Sequence, residues 1–322
     1  MNKAFFSIIT ISLLLASSLF VYSVSSEKVH STSTGTTLFV DDDGGAGFTS
    51  IQDAINASSD GDTVFVYNGT YNENIVINKS ITLQGENKEN TKIIANGVTV
   101  KIIADNVVIS KFKILNDLDI LDIGIRIINC NNSKIENNNI FGGNGIKILN
   151  SDNNKITNNY IVGYEYFFLT NNNEFKNNHI FEGRLSLFNS YNNIVSQNIF
   201  DGNGKNSPGI SIGELSNPSD GNSITYNIIK NYRMGLDNYY ADNEICYNDF
   251  VNNKENANVK YIGRTKWYHN YWGKSDRFPF DWKTHIPRLI YGLIPTYLGD
   301  LHVFNVDWHP AREPNCDFGG ET

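Results

Sequence analysis

Cysteine, methionine and proline are scarce in this 322-residue chain, with 3, 2 and 7 copies. Three cysteines exclude a small scaffold held by many disulfides. Charged residues make up 19% and the formal net charge is −8, so the concentrated Lys and Arg that select nucleic acid are missing. No apolar run after residue 26 is long enough for a transmembrane helix. Also absent is a sustained 3.6-residue apolar period, which excludes helical repeats. What is present is a large apolar share of 40% with 12% aromatics, enough for a core and too much for wholesale disorder.

Residues 1–26 read as a targeting segment. Lys3 supplies a short positive region, Ala4 to Val24 is almost entirely apolar or small, and Ser23-Val24-Ser25-Ser26 precedes Glu27. Cleavage near Ser26 is the main expectation, with an uncleaved anchor as the alternative. Residues 27–37 form a linker, and the mature protein is expected to be secreted or at the cell surface. Asn56, Asn68, Asn78 and Asn131 each begin an Asn-x-Ser/Thr sequon, which matters only in a host that glycosylates exported protein.

From Ile135 one pattern recurs, apolar-x-x-Asn-x-apolar, with Asn at 138, 159, 178, 198, 227 and 248. A period near twenty residues with β-branched fixed points predicts a solenoid of short strands stacked coil on coil. Asn138, Asn159, Asn178, Asn198, Asn227 and Asn248 are expected to form a structural ladder. Their role would be to sit in left-handed turns and bond one another between coils. The long step between Asn198 and Asn227 predicts an inserted loop, around Lys205 to Pro208 or Ser216 to Gly221. A second marker, apolar-x-apolar, keeps step: Ile125-Arg126-Ile127, Ile146-Lys147-Ile148, Phe167-Phe168-Leu169, Leu185-Ser186-Leu187, Ile210-Ser211-Ile212, Met234-Gly235-Leu236 and Val259-Lys260-Tyr261.

The ends differ from the middle. Thr49 to Ile55 predicts a short amphipathic helix with Thr49 and Gln52 as a capping box, covering the first coil. Residues 38–261 would form the β-helix and residues 262–322 an irregular cap, where all four Trp lie (Trp267, Trp272, Trp282, Trp308) with five of the prolines. Ile286 to Pro295 reads as an extended apolar segment along the helix. The repeat register places Cys130 and Cys246 five coils apart, too far to pair. Cys316 keeps either as a partner.

With these residues in place, the chain resembles the NosD-like group of CASH-repeat proteins. These are right-handed parallel β-helices of pectin-lyase-like architecture on cell surfaces. The resemblance rests on Gly47-Phe48-Thr49-Ser50-Ile51-Gln52-Asp53-Ala54-Ile55, on Gly61-Asp62-Thr63-Val64 and on Gly69-Thr70-Tyr71-Asn72-Glu73. The Asn repeats and Asn270-Tyr271-Trp272-Gly273 complete it, over roughly residues 38 to 275. It implies an all-β, right-handed solenoid and says little of activity, because this fold hosts enzymes and binders alike. Gly69 to Glu73 is similar to the first pectin methylesterase motif, but that family's Asp-Phe-Ile-Phe-Gly and Leu-Gly-Arg-Pro-Trp segments are absent. The signatures of polygalacturonases, pectate lyases and alginate epimerases are absent too, so no catalytic residue is nominated.

Two metal readings were weighed. Asp41-Asp42-Asp43 lacks calcium-loop spacing and reads as a solvated entry loop, with Ca²⁺ the minor alternative. The resemblance raises copper, yet His269, His285, His302 and His309 fall in no ligand spacing, so no metal or cofactor is expected. The sharper site is the outward column between the paired apolar residues, read as Arg126, Lys147, Phe168, Ser186, Ser211, Gly235 and Lys260, flanked by Tyr166, Arg184, Arg233 and Asp237. Arg126, Lys147, Tyr166, Phe168, Arg184, Arg233 and Asp237 are the candidate carbohydrate-binding residues, cations and rings suiting an extended anionic glycan. The expectation is therefore a monomeric surface protein that binds polysaccharide or contributes to the cell envelope. A polysaccharide lyase or hydrolase and a copper-related accessory protein are the alternatives.

Overall fold

The structure is a computed structural model describing residues 35–116, 121–214, 218–239, 242–260, 264–273, 288–296, 299–307 and 309–316. The targeting segment, most of the linker, Trp282, His285 and Trp308 lie outside the described residues, as does the side chain of His302. Among the described residues no helix is long and apolar enough to cross a membrane.

Three parallel ladders wind along one axis. The first runs from Thr37–Val40 through Thr63–Val66, Thr82–Gly85 and Val108–Ser110 to Lys266–Tyr268. The second begins with Gly69–Tyr71, Thr91–Ile94 and Lys113–Leu115 and ends with Ile228–Lys230 and Asp249–Val251. The third begins with Ile75–Ile77, Val98–Ile102 and Ile123–Ile128 and ends with Met234–Asn238 and Glu255–Val259. In the middle coils a single long strand serves the second and third ladders: Asn139–Leu149, Tyr160–Phe168 and His179–Phe188. Gly163 and Glu182 take positive φ there, of 135° and 54°, and the pairing register shifts beside Phe141 and Val162.

Alternation puts every second residue inside. In the first ladder Ile109, Ile135, Ile156, Phe175, Val195, Ile224, Ile245 and Trp267 stack in register, all buried. These β-branched and aromatic side chains fill a continuous core that no single coil could close alone.

The Asn residues bond from coil to coil. Asn138 Nδ2 donates to Asn159 Oδ1 at 3.1 Å, and the row continues through Asn178, Asn198, Asn227, Asn248 and Asn270. The positive φ belongs elsewhere: Asn137, Asn158, Asn177, Gln197, Tyr226, Tyr247 and His269, each one residue earlier, hold φ between 54° and 59°. That corrects the expectation that the ladder Asn itself takes the left-handed turn. A left-handed residue swings the next side chain inward, where its amide bonds backbone and neighbour. Sequence reading missed a second row, Asn154, Asn173, Asn193, Asn222 and Asn243, built the same way after Asn153, Asn172, Asn192 and Gly221.

The inserted residues divide between both expected places. From Phe181 to Leu185 is four residues where the paired Asp201 to Ile210 is nine; from Leu187 to Val195 is eight where Ile212 to Ile224 is twelve.

At the N-terminal end lies the helix Ile51–Ala57, whose Ile51, Ala54 and Ile55 are buried. Its N-cap is Ser50 rather than Thr49, accepting from Asp53 N, and Glu73 completes it. The Glu73 carboxylate accepts from Ser50 Oγ, Ile51 N and Gln52 N at 2.8–3.0 Å. At the other end Arg288–Thr296 pairs antiparallel with Gly299–Asp307, which joins the first ladder at Trp267. All three cysteines are free, so Cys316 pairs with neither Cys130 nor Cys246.

Candidate functional site on the third ladder

The outward side of the third ladder carries most of the predicted residues. Registers align Val76, Lys101, Arg126, Lys147, Tyr166, Ser186, Ser211, Asp237 and Asn258 in one column, one residue per coil. Phe168 is displaced from that column: it lies two residues farther along the strand, in register with Leu149 and Phe188. Gly235 leaves it too, buried where an added Cβ would meet Phe250. Lys260 follows the last strand of the ladder and donates to the hydroxyl of Tyr239, over whose ring it sits at 3.8 Å.

Lys101, Arg126 and Lys147 therefore stack on three consecutive rungs, about 4.8 Å apart. All three are half-buried, and none has an ion-pair partner among the described residues. The Arg126 Nε is buried without a hydrogen-bond partner. Burial, and then the neighbouring Arg126 charge, hold the Lys147 ammonium below its ordinary range. Stacked cations without a counterion repel one another, by about 1 kcal/mol per pair in water and more when partly buried. Lys101 was missed by sequence, although Val100-Lys101-Ile102 carries the same apolar-x-apolar signal.

Next along the column the chemistry changes from cations to rings. Tyr166 stacks on Phe168 at 6.1 Å and meets Phe188 edge-on at 5.5 Å. Arg184 lies in a parallel outward column, its guanidinium over the Tyr164 ring at 5.1 Å. Beyond Ser186 and Ser211 sits Asp237, only 5% exposed and accepting from Asn258 Nδ2 at 2.8 Å. Its burial raises the carboxyl pKa, partly offset by Lys260, Asn258 and Tyr239. Arg233 is not on this face. It lies exposed at a corner, lining a recess of about 490 Å³ with Asn203, Asn231, Asn252 and Lys254.

Behind the face lies a group that the repeat pattern hid. Glu165 points inward opposite Leu185, is 1% exposed, and has no partner for either carboxyl oxygen. Burial raises its pKa well above the usual carboxylate range. A side chain on Gly145 would meet Glu165 Oε1 at 2.9 Å, so glycine there leaves the room it occupies.

The other chemistry considered from sequence is dispersed. Asp41, Asp42 and Asp43 bring their oxygens within 4.8 Å of one another, with Asp42 accepting from Thr70 N at 2.8 Å to close the entry loop. His269 stacks on Tyr247 at 5.0 Å and faces His309 at 5.9 Å. The half-buried Cys316 thiol, beside Asp249, is pushed up in pKa by burial and that carboxylate.

Three parallel ladders, a continuous apolar core and inward Asn rows define a right-handed parallel β-helix of pectin-lyase-like architecture. The family model for the right-handed β-helix region matches residues 105–259. Among solved structures the chain is similar to pectin methylesterase from Erwinia chrysanthemi, at 14% identity over 75% of this chain and 90% of that one, with a TM-score of 0.44. It is similar also to alginate lyase from a Paenibacillus species, at 12% identity over 70% and 92%, TM-score 0.45. The third is the A-module of mannuronan C-5 epimerase from Azotobacter vinelandii, at 14% over 73% and 87%, TM-score 0.42. No curated protein matches in sequence. Likeness at these identities is one of fold and assigns no substrate.

Proposed function

We propose that this protein is an exported, cell-surface β-helix that binds anionic polysaccharide along the outer face of its third ladder. The observation that supports this reading most is the stack of Lys101, Arg126 and Lys147, unpaired, half-buried and followed by the Tyr166, Phe168 and Phe188 rings. Carboxylates or sulfates would relieve the repulsion between the cations and supply the acceptor that Arg126 Nε lacks. The apolar faces of sugar rings would pack on the aromatic cluster. A cleaving enzyme is the second reading, favoured by Asp237 with Tyr239 and Lys260 close by.

Affinity electrophoresis in gels containing polygalacturonate, alginate or neutral dextran tests the binding. Retardation is expected in the two anionic gels only, weakening as salt rises. Arg126→Gln should lower the affinity about tenfold, the worth of one hydrogen bond to a charged group. Equal retardation by dextran, or none in any gel, would sink the proposal. Release of reducing ends or unsaturated uronates, lost in Asp237→Asn, would favour the enzymatic reading instead.

A further inference from the structure

The cationic window has two ends. Val76 occupies the same column one rung before Lys101, and Tyr166 occupies it one rung after Lys147. Past Tyr166 the column offers Ser186 and Ser211 and then the Asp237 carboxylate, which repels a further anion. Arg184, the next cation on this face, stands in a different column and is engaged with the Tyr164 ring. Cations therefore fill three rungs and stop.

Direction follows from the same registers. The three charges come from three different coils, so their row runs along the solenoid axis rather than along a strand. To one side of the row Ile128 and Leu149 form an apolar margin. A ligand lying across the strands' own direction would meet one cation and an apolar wall. Only a ligand lying along the axis meets all three.

Resting on the polysaccharide reading above, we infer that the ligand is a linear polyanion with one acid group on every unit, held parallel to the axis, and that three consecutive acid groups saturate the charged window. One unit of an extended 1,4-linked pyranose chain is about as long as one rung. A chain acidic at every unit can therefore place successive carboxylates on Lys101, Arg126 and Lys147. A chain acidic at alternate units reaches at most two of them. Units beyond the third acid lie over the Tyr166 ring and the serine hydroxyls, where a carboxylate finds no cation.

Calorimetric titration with galacturonic acid oligomers of one to six units tests this. Affinity should climb steeply to the trimer and change less than threefold from trimer to hexamer. A hyaluronan hexasaccharide, acidic at alternate units, should bind at least tenfold more weakly than the galacturonate hexamer. Lys101→Gln should move the plateau from trimer to dimer. An affinity that climbs steadily to the hexamer, a hyaluronan affinity equal to the galacturonate one, or a plateau unmoved in Lys101→Gln would overturn the inference. Those outcomes leave the polysaccharide reading standing, whereas failure of every polyanion and oligomer to bind removes both.

Discussion

Each coil turns where a residue in the left-handed region precedes an inward polar side chain, and the two positions have opposite tolerances. Asn177, with φ 54°, is exposed, whereas the next residue, Asn178, is buried and accepts from Asn159 N at 3.0 Å while donating to Ile156 O at 2.8 Å. Asn178→Ala leaves that donor and that carbonyl buried and unpaired. It should cost about 3 kcal/mol, read as a lower denaturant midpoint. Gln197 holds φ 57° without the short amide that tolerates it, so Gln197→Asn should raise stability by roughly 0.5 kcal/mol in the same measurement. Glu165 sets a pH dependence. Its folded pKa is raised, so the folded state holds a proton that the unfolded state releases above the ordinary carboxylate range. Stability from this group is complete below the unfolded pKa and falls as pH rises toward the folded one, by about 1.4 kcal/mol per unit. Thermal melts of Glu165→Gln should be flatter over weakly acid to neutral pH than those of the parent protein; identical slopes would show Glu165 to be ionised or paired.

Among elements, the two ends depend on single carboxylates. Glu73 joins the N-terminus of the helix Ile51–Ala57 to the segment just before the strand Ile75–Ile77. Asp307 ends the Asn row, accepting from Asn270 Nδ2 at 3.2 Å and Trp272 Nε1 at 3.1 Å. Asp307→Ala would strand these buried donors and unfasten the strand Gly299–Asp307, exposing the last coil. Limited proteolysis should then cut after Gly273 at least tenfold faster, with the central coils intact. Glu73→Ala should loosen the helix by about 2 kcal/mol, seen as faster hydrogen exchange at Ala54 and Ile55. Unchanged exchange there would assign the cap to Ser50 alone.

For the whole molecule, coils contact their neighbours in sequence, so the interior cannot open without an end opening first. The strand Thr37–Val40 is the first rung of the first ladder, and the helix beside it covers buried Val40, Val64 and Val66. Deleting residues 35–57 would expose the edge of Thr63–Val66 to pairing with other chains. Light scattering should show concentration-dependent oligomers for that deletion and none for the parent.

The coil positions were legible in the sequence because an inward apolar residue and an inward Asn each need a fixed place, and a solenoid repeats that need every coil. Which outward residues share a column was not legible. In three coils the apolar-x-apolar marker led two residues too far: to Phe167-Phe168-Leu169 for Glu165-Tyr166-Phe167, to Met234-Gly235-Leu236 for Leu236-Asp237-Asn238, and to Val259-Lys260-Tyr261 for Ala257-Asn258-Val259. Strand alternation has a period of two, so a two-residue slip keeps every side chain on its face and leaves no trace in the pattern. The slips arise where a polar residue, Glu165 or Asn238, or the small Ala257 takes an inward place that patterning reserves for a large apolar one. Only the backbone pairing across coils, with its bulges beside Phe141 and Val162, decides that Tyr166 rather than Phe168 follows Lys147. The cationic row, and with it the proposed ligand, is a property of that register.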